Sequence, residues 1–266
     1  MMRLAKAVVL ISVLPAALVA CAEAPGSRGG VAASPAAESN MRLARASMDG
    51  GDSATAISMY QQTLKRNPED YDARLGLADA LNVAGEPERA RIAYAEAAKR
   101  RPQAIEPLLG LGRIAIMKRQ FEDAEKHYAA AHALDGNDVR PLSGLGTVYD
   151  LQGRHAEAQA VYNQALALKP EDASVRSNLG LSLALAGQPR QAVNVLLDIA
   201  TAPSAPPQAR QNLALAYGLM GNDDAAESVL GPEMDRTAVR TNLEYYRYVR
   251  AHSGAAGAAA GGVARP

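Results

Sequence analysis

Few side chains in this sequence have the types and spacing for bond-making chemistry. The imidazoles are His127, His132, His155 and His252. His127 and His132 are five residues apart, and none of the four makes the ligand spacing that a metal site on one helix needs. "GLGRIA", with Gly110, Gly112 and Ala115, mimics a dinucleotide fingerprint. It lies inside a helical pattern and follows no strand, so the context that cradles a phosphate is missing. No nucleophile–base pairing is readable. The expectation is a non-enzyme that uses no metal and no cofactor. The remaining reactive group is the thiol of Cys21, the one cysteine in the chain, which also excludes an intramolecular disulfide.

Cys21 has an informative setting. Arg3 and Lys6 form a positive start, Ala7 to Ala20 is an apolar run broken by Pro15, and small residues lead to the cysteine. This is the layout of a secretory signal, too short for a spanning helix. The run "LVAC" resembles the bacterial lipobox. That resemblance implies a diacylglyceryl thioether at Cys21 and cleavage just before it. A single acyl chain anchors only marginally, so stable attachment needs two or three. Ala22, rather than Asp, follows the cysteine, which in such lipoproteins implies delivery to the outer membrane. Residues 1–20 are therefore expected to be a lipoprotein signal. Residues 21–36 are rich in Gly, Pro, Ser and Ala and are expected to form a lipidated flexible tether. Residues 252–266 are expected to be a disordered tail. The 28 basic and 28 acidic side chains balance, which gives no basic footprint for nucleic acid.

Between these ends the sequence repeats every 34 residues, in frames starting at 37, 71, 105, 139, 173 and 207. Position 7 is Leu in all six, from Leu43 to Leu213. Position 8 is Ala44, Ala78, Gly112, Gly146, Gly180 and Ala214, and position 20 is always Ala. Position 24 is Tyr60, Tyr94, Tyr128, Tyr162, Leu196 and Leu230. Gly51, Gly85, Gly153, Gly187 and Gly221 occupy an expected inter-helix turn. This resembles the tetratricopeptide repeat over residues 37–240. The implied fold is all-α, a right-handed superhelical solenoid of about six repeats. Val239, Leu243, Tyr246 and Arg250 are helically spaced, which predicts a C-terminal capping helix over 235–251. One departure is plain. The aromatic usual at position 4 is replaced by Asn40, Arg74, Leu108, Leu142, Arg176 and Arg210.

In such repeats the first helix lines a concave groove. Position 9 is Arg45, Asp79, Arg113 and Thr147 in the early repeats, but Leu181 and Leu215 in the last two. With Leu185 and Leu219 one turn further on, a second leucine stripe is expected to make the groove apolar at its carboxyl end. Asn178, Asn212 and Asn242 accompany it, and an asparagine amide both donates to and accepts from a peptide backbone. These seven residues are the candidate peptide-binding set. "VRSNLGLSLALAG", "RQNLALAYGLMG" and "VRTNLEYYRYVR" resemble the TadD lipoproteins of the tight-adherence (Tad/Flp) pilus system. That resemblance implies an assembly scaffold on the periplasmic face of the outer membrane, with the secretin or another pilus component as protein partner. The alternatives are a pilotin or assembly lipoprotein of another outer-membrane system, and a periplasmic adaptor of a cell-wall enzyme.

Overall fold

The structure is a computed structural model that describes residues 35–232 and 234–260, with side chains for 36–232 and 234–252. The signal peptide, lipidation at Cys21 and most of the tether lie outside the described residues, as do 261–266. The first helix starts at Pro35, inside the stretch read as tether.

The fold is all-α, a superhelical array of helix pairs closed by a C-terminal helix. The pairs are α1 (Pro35–Asp49) with α2 (Ser53–Arg66), α3 (Tyr71–Val83) with α4 (Pro87–Arg100), and α5 (Glu106–Met117) with α6 (Phe121–Leu134). They continue as α7 (Val139–Leu151) with α8 (His155–Leu168), α9 (Ala173–Leu185) with α10 (Pro189–Thr201), and α11 (Pro207–Met220) with α12 (Asp223–Leu230). The last helix, α13 (Arg236–Ala260), continues past the boundary expected at 251, so the stretch read as a disordered tail begins as helix.

Local chemistry sets the helix ends. Asp70, Asp138 and Asp172 cap α3, α7 and α9 by accepting from backbone N–H groups of the first turn. Between the helices of each pair, Gly51, Gly85, Gly153, Gly187 and Gly221 have φ between 75° and 82°. The third repeat places Arg119 at the same position, with φ 58°. A side chain in this left-handed region costs roughly 1–2 kcal/mol.

The core is a series of linked clusters, each shared by adjacent pairs. Position 20 is fully buried throughout, as Ala56, Ala90, Ala124, Ala158, Ala192 and Ala226. The position-24 side chain wedges between the first helix of its own pair and that of the next. A Cβ on Gly146 would come within 2.3 Å of the Tyr162 ring, and one on Gly110 within 2.4 Å of Tyr94. The glycines of "GLGRIA" are thus packing surfaces for tyrosines.

The missing position-4 aromatics have a replacement. Arg74 pairs with Glu96 and donates to the Pro68 carbonyl at 2.6 Å. Arg176 donates to the Val195 carbonyl at 3.1 Å and to Asp198 at 2.5 Å. Arg210 donates to the carbonyls of Ala200 and Ala202 at 3.1 and 3.2 Å. Arg74 and Arg210 thus occupy carbonyls at or just past second-helix ends, which a helix leaves unpaired, whereas Arg176 binds the middle of α10.

Two stability predictions follow from this register. Arg119→Gly relieves a left-handed side chain and Gly153→Ala creates one, so thermal melts should rise for the first and fall for the second, by about 1 kcal/mol each. Ala158→Leu overpacks a fully buried contact and should destabilise by about 1–3 kcal/mol in denaturant titration.

Candidate partner-binding groove

Each first helix touches the first helix of the next pair, from α1 through α11 to α13, so these helices form one continuous wall. Positions 9 and 13 are one turn apart on a helix and therefore share a face. In the second to fourth repeats charges on this wall find partners within the chain. Arg113 lies 3.7 Å from Asp79, and the Tyr94 hydroxyl donates to Asp79. Burial and the neighbouring Asp79 push the Tyr94 phenol well above its ordinary range, so it stays a proton donor. Arg140 pairs with Glu106 at 3.2 Å and with Asp138 at 2.7 Å.

Asp150 holds the middle of the wall. Its carboxylate accepts from the Ser182 hydroxyl at 2.7 Å and from the Tyr162 hydroxyl at 3.1 Å, and His155 Nδ1 lies 2.8 Å away. Serine, histidine and aspartate meet here, but without the order that activates a nucleophile. Ser182 gives its proton to the carboxylate rather than to imidazole, and it is fully buried. The cluster links α7, α8 and α9. Among the described residues no group of His, Cys, Asp and Glu could hold a metal ion.

The carboxyl end is different in kind. A cleft of about 480 Å³ is lined by Ala184, Leu185, Leu215, Leu219, Tyr245 and Val249, with Gly187, Pro189 and Arg250 at its edges. The structure thus gathers Leu185, Leu215 and Leu219. Leu181 is half-buried and does not line this cleft. Leu185 is 51% exposed, and Tyr245 and Tyr248 are 58% and 60% exposed.

Tyr245 and Val249 are absent from the expected set. They stand at positions 9 and 13 of a helix whose frame begins at 237, four residues earlier than the period of 34 would place it. The signal was the match of "VRTNL" (239–243) to "VRSNL" (175–179), which aligns Asn242 with Asn178 and Tyr245 with Leu181. The apolar row at position 13 is also longer than expected. Val83, Met117 and Leu151 precede Leu185 at this position, all more than half exposed. From the second repeat on, the groove is therefore apolar at position 13, while position 9 is charged in the first three repeats.

The asparagines serve the wall itself. Asn178 Nδ2 donates to Ser143 Oγ at 3.2 Å. Asn212 Nδ2 donates to the Ser177 carbonyl at 3.1 Å and to Ser177 Oγ at 3.0 Å. Asn242 turns its amide back to the Ala238 carbonyl at 2.9 Å. Each of the three amides thus has an acceptor within the scaffold, Asn178 and Asn212 on the preceding first helix and Asn242 on its own. The reason is geometric. In earlier repeats Gly76, Gly110 and Gly144 hold position 6 against a tyrosine ring, and an asparagine there reaches the previous first helix instead.

Comparison with known proteins agrees with the architecture. A chain of the Cut9–Hcn1 hetero-tetramer of the APC/C is similar at TM-score 0.69 and 18% identity over 79% of this chain, which spans only 43% of that longer one. A thermophilic tetratricopeptide protein of Thermus thermophilus gives TM-score 0.60 and 23% identity, covering 68% of this chain and 98% of that one. PilF of Pseudomonas aeruginosa gives TM-score 0.64 and 18% identity, covering 80% and 97%. At these identities the likeness is one of fold. No curated protein matches the chain. Residues 7–237 match the family described as the Cilia and flagella-associated protein 70 C-terminal domain, and this tetratricopeptide-repeat chain belongs to that family.

Proposed function

We propose that this chain is a lipid-anchored scaffold on the periplasmic face of the outer membrane, which binds a component of a Tad/Flp pilus assembly, the secretin or its accessory protein, through its groove. The cleft between α9, α11 and α13 carries the binding part of this reading. Exposed Leu185 and Tyr245 beside half-buried Leu215 and Leu219 make an apolar patch with an aromatic anchor, the composition of an interface centre. A repeat array is suited to holding such a patch rigid, because each helix is packed by its neighbours. The pilus setting rests on the TadD resemblance of the last two repeats and α13, and the anchor rests on the setting of Cys21. No described helix is long and apolar enough to cross a membrane, so attachment through the described residues would have to be peripheral.

Two experiments test the reading. With a photo-crosslinking residue at 245, across the cleft from Leu185, cells should yield a crosslinked secretin or secretin-associated protein. Leu185→Asp should abolish the product and weaken partner binding by tenfold or more, while changing stability by less than about 0.5 kcal/mol because the site is exposed. Asn212→Ala should do the reverse, lowering stability by about 1 kcal/mol with binding retained. An unchanged crosslink in Leu185→Asp would remove the cleft from function. Intact mass spectrometry of the membrane fraction should show an acylated Cys21 at the mature amino terminus, and Cys21→Ser should leave the signal uncleaved and the acyl mass absent. An unmodified mature terminus in the natural protein would reject the anchor.

A further inference from the structure

The cleft is apolar at its floor, and its rim has one sign of charge. A second pocket of about 420 Å³ adjoins it and shares Gly187 and Pro189 with it. Among the described residues the two are lined by Arg190 and Arg250, and by no carboxylate. Arg190 is exposed and forms no ion pair among the described residues. Arg250 donates to the Gly218 carbonyl at 2.7 Å and lies 3.6 Å from Asp223. That carboxylate is shared, because Arg247 binds it at 2.7 Å. Arg250 therefore shares its carboxylate with Arg247, and Arg190 has none, although the whole chain has zero formal net charge. The contrast with the other half of the wall is direct. There Arg113 and Arg140 have their carboxylates supplied from within the chain.

We infer that the segment bound in this cleft is acidic as well as apolar: a large apolar anchor that sits against Leu185, Leu219 and Tyr245, with carboxylates beside it that reach Arg190 and Arg250. This rests on the groove-binding reading above and specifies its ligand. A partner carboxylate would pair with guanidiniums the scaffold leaves under-neutralised, and guanidinium–carboxylate pairing is geometrically selective. Rim charges act mainly on association rate and on discrimination against wrong partners, so the acidic requirement should be salt-sensitive while the apolar anchor is not.

The test uses three fluorescein-labelled peptides with the same central Leu-Phe pair, flanked by glutamates, glutamines or lysines, titrated onto residues 22–266 by fluorescence anisotropy. The glutamate peptide should bind at least tenfold more tightly than the glutamine peptide at low salt, and that ratio should shrink toward one near 0.5 M salt. The lysine peptide should bind weakest. Arg190→Glu should cost the glutamate peptide about tenfold or more and leave the glutamine peptide nearly unchanged. Leu185→Asp should weaken both. Equal or tighter binding of the glutamine or lysine peptide, with Leu185 still required, would overturn the acidic requirement and leave groove binding intact. A crosslinked partner at residue 245 in cells, with no binding of the glutamate peptide, would overturn it too. Binding of phosphatidylglycerol vesicles that competes with the glutamate peptide would reassign the cations to a lipid surface and overturn the proposal.

Discussion

The structure depends on one close approach, made repeatedly. A tyrosine or leucine at position 24 lies against a glycine or alanine at position 8 of its own pair. In the early repeats it also touches a glycine at position 6 of the next pair. A methyl group at Gly112 or Gly144 would overlap the Tyr128 ring, so helix spacing and ring placement are one constraint. Tyr94 and Tyr162 are almost fully buried, and burial raises both phenols, which keeps them neutral in the core. Each hydroxyl then finds an acceptor on the first-helix wall, Asp79 or Asp150. The same side chain thus fixes the helix pair and ties its interior to the groove surface.

That arrangement accounts for the unequal halves of the groove. Where position 6 is glycine, the ring fills the gap and charged position-9 residues pair across neighbouring helices. From α9 onward position 6 is asparagine, and amide–serine hydrogen bonds join α9 to α7 and α11 to α9. The wall no longer needs position-9 charges for cohesion, and leucines and a tyrosine occupy that face. Self-satisfied charge gives way to an apolar cleft, whose cations exceed the carboxylates near them.

Termination follows from α13. Val239, Leu243 and Tyr246 are buried against α11 and α12, as a first helix of another pair would be. The face where its own second helix would pack holds Arg240, Glu244 and Arg247, all exposed. A small residue belongs at the Glu244 position in every preceding repeat. Charge there stops the array and leaves the groove face of α13, with Tyr245 and Val249, as the last wall of the cleft.

Much of this was legible in the sequence, because a repeat array is built from nearest-neighbour contacts at fixed offsets. The frames, the small residues at positions 8 and 20, the turn glycines and the buried face of α13 all depend on local spacing, and local spacing is written in the chain. The leucines 185, 215 and 219 were legible for the same reason. The partners of polar groups were not. Whether Asn212 offers its amide to a ligand or to Ser177 depends on the distance between helices 35 residues apart in the chain. Whether Arg210 is solvated or holds the end of α10 depends on where that end falls. The four-residue phase shift before α13 hid Tyr245 and Val249 from a strict period. Only the packed structure brings α9, α11 and α13 side by side, because burial of Val239, Leu243 and Tyr246 decides where that helix lies.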